Sequence, residues 1–287
     1  MELSFTAFED DICLAYTRKN LLRGGAVELA CNMINHSENA AIFTRVPALN
    51  LLRKALLSLS ATYFGSQHRQ DHITRKGYRQ YGEVLKQLNS TIALQQRQVT
   101  DETILTALTC MLLEFFLPTG PTNFLKHQRG IEAMIELRGP PTDGAEPTAT
   151  IFRGLRVVSI LGALADSRPS VYARGDWKRA PIACSTEVGS LQYRIFGVLA
   201  DCTVLKSERD AMLASGLGVE HYGTFLLRIE ETFNDLKSLR PVWEQINNSL
   251  LFETEQVSEM ARQLGIANQM CATACMLFHA ARLCKYS

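Results

Sequence analysis

The sequence predicts an all-α fold, and three observations carry that prediction. Apolar residues recur every three or four positions through nearly the whole chain. No convincing run alternates apolar with polar residues as a half-buried strand does. Glycine and proline gather between the periodic segments, where they end helices and make turns. The expectation is one large domain of about a dozen helices, packed by ridges into grooves rather than as a simple bundle.

The elements follow in order. Thr6 and Glu9 have the spacing of a capping box for a first helix carrying Phe8, Ile12, Ala15 and Tyr16, ended by Gly24 and Gly25. Val27, Ala30 and Ile34 mark a short second helix. Pro47 suits the first turn of a third, with Leu49, Leu52, Leu56, Leu59 and Tyr63 on one face and Gly65 as the stop. Tyr78, Tyr81, Leu85, Leu88 and Ile92 form a continuous stripe on the next, which Asp71 is placed to cap. Thr100 or Asp101 opens a segment from Ile104 to Phe116 that is apolar all round, as a central helix would be.

A helix over Asn123 to Arg138 stops at Gly139, Pro140 and Pro141. The following stretch is the most loop-like in the chain, and residues 139–149 are a candidate sub-boundary. Helical pattern resumes at Ile151, runs to about Ala165 and breaks at Arg168–Pro169. Val188, Leu191, Ile195, Val198, Cys202 and Leu205 stripe one long helix. Tyr222, Phe225, Ile229, Phe233 and Leu236 stripe another before Pro241. A last region holds Val257, Met260, Leu264, Met270, Cys271, Ala274, Leu277 and Phe278.

Bulk properties narrow the function classes. The chain has 287 residues, 46% hydrophobic, with 30 Lys plus Arg against 29 Asp plus Glu. A net charge of +1 is not that of a domain whose main task is to grip phosphates. The nearest basic sets are Arg69, Arg75, Lys76 and Arg79, and then Arg174, Lys178 and Arg179; both read as solvated faces or loops. The acidic start MELSFTAFEDD lacks the pattern of a secretory signal. Ile104 to Leu117 is too short for a membrane span of about 20 residues and contains Glu114, so it reads as a core helix. Eight cysteines without a CxxC pair read as reduced thiols filling the core.

No catalytic constellation emerges. His68 and His72 have i, i+4 spacing, but the segment HRQDH lacks the glutamate of a zinc protease helix. Cys271, Cys275 and His279 share one helical face, and three ligands strung along a straight helix do not surround an ion. Cys110 sits among apolar residues as an inert thiol. No GxSxG elbow and no glycine-rich phosphate loop occurs. Glu9, Asp10 and Asp11, with Asn234, Asp235 and Ser238, imitate a helical cyclase's magnesium sites, yet Val242 stands where an oxygen ligand is needed. No cofactor or metal is expected.

Three segments carry a resemblance. LLRKALLSLSATYFGSQH is followed by YRQYGEVLKQLNSTI; DETILTALTCMLLEFF precedes FLKHQRGIEAMIELRGP; and IFRGLRVVSILGALADSRPSVYARGDWKRAP contains an arginine-bearing helix ending in W-x-x-x-P. In this order and spacing they resemble the regulatory domain that follows the zinc cluster in fungal-specific transcription factors. The signature positions are His127, Gly130, Arg138, Gly139, Pro140, Arg156, Trp177 and Pro181, with Ile131 where alanine is common.

The resemblance implies an all-α regulator of transcription, acting in the nucleus through protein partners, with a secondary-metabolic gene cluster as its expected target. Its signature residues are expected to be structural: Gly139 as an αL stop, Gly130 as a point of close helix approach, His127 in a buried hydrogen bond, Trp177 as a loop anchor. A ligand-sensing role for His127 or Trp177 stays open. The six closely spaced cysteines of a zinc cluster are absent from these residues, so no direct DNA contact is expected, and that function falls to a partner or to sequence upstream of Met1. Such domains often continue past the point where this sequence ends. A dimer, a helical inhibitor or scaffold for full-length regulators, and a cluster-associated cyclase-like enzyme remain as alternatives.

Overall fold

The computed structural model describes residues 5–35, 43, 45–94, 99–120, 122–142, 144, 146–181, 184, 186–215, 219–253 and 259–284. Every regular element among them is helical. The first seven are α1 (Phe5–Asn20), α2 (Gly25–Asn35), α3 (Pro47–Gln67), α4 (Asp71–Leu94), α5 (Asp101–Phe116), α6 (Asn123–Arg138) and α7 (Thr148–Ala165). A 3₁₀ turn (Val171–Ala173) leads to the short α8 (Gly175–Lys178), then α9 (Glu187–Ser215), α10 (Val219–Glu253), α11 (Glu259–Leu264) and α12 (Gln269–Cys284). Two compact units divide the chain, Met1–Leu155 and Arg156–Ser287. The division falls within α7, after the Pro- and Gly-rich stretch.

In the first unit α3 packs against α1, α2, α4 and α5, and α5 packs in turn on α6. The predicted leucines Leu49, Leu52, Leu56 and Leu59 are buried. Val46 caps α3 and Pro47 occupies its first turn, where a missing N–H is harmless. Thr100 caps α5, its hydroxyl accepting the Thr103 N–H at 3.4 Å. Nearly all of α5 from Thr103 to Glu114 is buried, as its all-round apolar sequence requires.

Three boundary expectations are corrected in this unit. Helix α1 spans Phe5–Asn20, so Thr6 lies inside it rather than at the cap position that its spacing suggests. Its inward face is Glu9, Cys13 and Thr17, while Phe8, Ile12 and Ala15 are exposed. Glu9 turns inward because Lys76 of α4 reaches it at 2.8 Å. Gly65 does not stop α3, which runs on to Gln67; the chain reverses at Arg69 with φ +54°.

Gly65 serves the seam between α3 and α4 instead. A Cβ at Gly65 would lie 2.6 Å from the backbone nitrogen of Thr74, and one at Gly77 would lie 2.6 Å from that of Thr62. The two backbones therefore touch at both places, with no room for a methyl group. Ser58 completes the seam by donating from its hydroxyl to the Gly77 carbonyl at 2.9 Å.

In the second unit α9 packs against α10 and α12. Val188, Leu191, Ile195, Val198 and Cys202 are buried along α9. Helix α10 continues through Pro241, beyond the stripe that the sequence shows before it. An interior proline costs a helix about 3 kcal/mol, so anchoring on both sides must offset it. Leu236 and Leu239 are buried before it and Ile246 after it. Trp243 donates to the Cys271 carbonyl at 3.0 Å, and Asn247 bonds both the Gly265 carbonyl and the Ala267 N–H at 2.9 Å. The last predicted region resolves into α11 and α12, separated at Gly265 with φ +65°. Val257 lies outside the described residues.

Among the described residues, α7 is long and apolar enough to cross a membrane by length and composition, a different segment from the Ile104–Leu117 run that the sequence suggests testing. Ile151, Phe152, Leu155, Ile160 and Ala163 of α7 are buried in the fold, which is also how a core helix satisfies such a test.

Candidate functional site: two polar pockets among the signature residues

His127, Gly130 and Arg138 lie on α6, and Gly139 is its C-cap. Gly139 has φ +81° and ψ 172°, which is a region open essentially to glycine but is not the αL stop expected from the sequence. Gly130 is exposed, and a Cβ built on it meets nothing within 4 Å, so it brings no helices together. The close approach is made by Gly65 and Gly77 instead. Gly139 and Gly130 should respond oppositely to alanine. Gly139→Ala is expected to destabilise by about 1–3 kcal/mol, while Gly130→Ala should stabilise by about 0.5–1 kcal/mol through helix propensity. Urea unfolding of the two variants measures both signs.

Arg138 pairs with Asp101 at the opposite end of α5 and lies 5.6 Å from the centre of the Phe152 ring. Half-buried His127 meets the Tyr81 hydroxyl through Nε2 at 2.7 Å. Tyr81 donates its own proton to Glu114 Oε1 at 2.8 Å. Its oxygen is then the acceptor for His127, which assigns the imidazole proton to Nε2. Glu114 is almost fully buried and also accepts from Thr119, at 2.8 Å from the backbone N–H and 2.5 Å from the hydroxyl. Burial, then the Glu114 hydrogen bond, pushes the Tyr81 phenol up. These groups border a cavity of about 310 Å³ with Leu85, Leu88 and Met134.

Burial holds His127 below its ordinary value, opposed by the Glu114 charge. As pH falls through the ordinary value of 6.5, the unfolded chain takes up a proton that the folded chain resists, so stability declines on the acid side. His127→Gln should therefore lose less melting temperature than the wild type between pH 7.5 and 5.5. Equal losses in the two proteins would exclude this source.

The second unit holds Arg156, Trp177 and Pro181. Trp177 is buried on α8, edge-on to Tyr172 at 5.3 Å, and Pro181 is exposed just beyond. Arg156, only 3% exposed, stacks over the Tyr193 ring at 3.9 Å and lies 5.9 Å from the Tyr172 ring. Neither Nε nor Nη1 of Arg156, nor the Tyr193 hydroxyl, has a hydrogen-bond partner among the described residues. Desolvation holds the guanidinium below its ordinary value.

The remaining candidates dissolve as sites. His68 and His72 sit on opposite sides of the reversal at Arg69, the first at the end of α3 and the second in the first turn of α4, so they share no helix face. No group of three metal-ligating side chains gathers among the described residues. Lys76 is engaged by Glu9 and Asp10, and Lys178 by Asp201, which takes one cation from each basic set. Cys110 is buried and its thiol is pushed up to about 12, mainly by desolvation.

Sequence reading missed Glu114, Tyr81 and Tyr193 as polar partners. The signal for Glu114 is visible in hindsight: it is the only charge between Ile104 and Leu117. A family model described as Fungal specific transcription factor domain matches residues 6–285. Neither the curated proteins nor the solved structures hold a match.

Proposed function

The chain belongs to the fungal specific transcription factor domain family, a non-enzymatic family of transcriptional regulators with a nuclear role, and from that premise we propose that it controls a metabolic gene set through protein contacts. The observation that carries the reading is the match along nearly the whole sequence. Cysteine placement supports the second half. The first two cysteines, Cys13 and Cys31, are buried separately in α1 and α2, with thiols raised to about 11 by burial. They are core residues and not the start of a zinc cluster, which supports a domain that works through protein contacts, with DNA read by a partner or by residues outside this sequence.

Deleting the gene and measuring neighbouring transcripts and metabolites tests this. Loss of a coherent set of transcripts is the expected result. Raised transcripts would reassign the chain as an inhibitor of another regulator. Unchanged transcripts with an accumulated intermediate would overturn the reading in favour of an enzyme.

A further inference from the structure

The Arg156 pocket gathers buried donors and basic side chains. It is an open depression of about 300 Å³ bordered by Arg156, Lys178, Tyr193, Arg194, Asp201 and Asp235. That volume stands at the lower end of small-molecule pockets, which run from about 300 to 1,000 Å³. A buried guanidinium is ordinarily matched by a carboxylate, because taking the charge out of water is unfavourable unless it is paired. Here the two acidic neighbours do not supply that match. Asp201 is held by Lys178, and neither Asp201 nor Asp235 bonds Nε or Nη1 of Arg156.

Tyr193 strengthens the case. Its ring supports the guanidinium from below at 3.9 Å, which fixes the plane of the fork without using any of its N–H donors. Its hydroxyl is a further buried donor that borders the same cavity and has no hydrogen-bond partner among the described residues. With Lys178 and Asp201 neutralising one another, Arg156 and Arg194 stand against Asp235 among the described residues that border the pocket, and the balance there is positive.

We propose that this pocket binds a metabolite-sized oxyanion, a carboxylate or a phosphate, with Arg156 as its counter-charge and the Tyr193 hydroxyl as a second donor. Oxyanions offer several acceptor lone pairs at once, which suits donors on different edges of one guanidinium. The site goes beyond the regulatory reading and stands on the second unit's geometry alone, so its failure would leave that reading in place.

Thermal unfolding of the full chain tests it, with inorganic phosphate, citrate and benzoate titrated at constant ionic strength against chloride. A saturable rise in melting temperature with at least one probe is expected, and which probe acts separates the phosphate from the carboxylate sources. Arg156→Met should abolish that rise while keeping the ligand-free melting temperature at or above the wild-type value, since it removes an uncompensated buried charge. Tyr193→Phe deletes a single hydroxyl and should weaken the apparent Kd about ten-fold. The absence of a saturable rise with all three probes overturns the proposal. So does a rise undiminished in Arg156→Met and Tyr193→Phe, which would place the anion elsewhere.

Discussion

Gly77→Ala should destabilise the chain by about 1–3 kcal/mol, the usual toll of forcing a methyl group into a packed interior. A Cβ at Gly77 would stand 2.6 Å from the Thr62 backbone nitrogen. Backbone cannot rotate away as a side-chain tip can, so α3 and α4 would have to separate. Gly82 on the same helix is the control, because a Cβ there meets nothing within 4 Å. Gly82→Ala should raise stability by about 0.5–1 kcal/mol through helix propensity alone. Urea unfolding of both variants separates packing from propensity. A Gly77→Ala protein as stable as Gly82→Ala would mean that the two helices do not touch at this point.

Glu114→Ala should cost about 3 kcal/mol, an effect of comparable size with a different origin. The carboxylate accepts from Tyr81 and twice from Thr119, tying the end of α5 to α4 and to the loop before α6. Its removal leaves the Tyr81 hydroxyl, 5% exposed as a residue, with His127 as its remaining partner. Glu114→Gln keeps the volume and one acceptor oxygen and should lose less. Should Glu114→Ala melt at the wild-type temperature, the carboxylate would be a tolerated burial rather than a tie.

Helical periodicity made the helices legible where one face is continuously apolar. The α3 leucines, the all-round apolar α5, the α6 span from Asn123 to Arg138 and the α9 stripe all stand where spacing placed them. Positions set by a distant partner were not legible. Glu9 faces inward where Lys76 arrives from another helix, and α10 passes Pro241 with anchors on both sides, Leu236 and Leu239 before it and Trp243 and Asn247 beyond. Gly65 resembles a stop signal locally, since the closeness of Thr74 cannot be read from its own segment. Both pockets share this limit. His127 and Arg156 stood out by resemblance, whereas Tyr81, Glu114 and Tyr193 acquire their meaning from the packing around them.

The buried thiols decide how this regulator would meet an oxidant. Cys13 and Cys31 are raised to about 11 and Cys110 to about 12. Burial disfavours the thiolate, the form that peroxides and electrophiles attack. Buried and held as thiols, these core cysteines are poor targets for an oxidant. Among the described cysteines, Cys184 and Cys275 are only half-buried, and an oxidant or an alkylating probe would find them first.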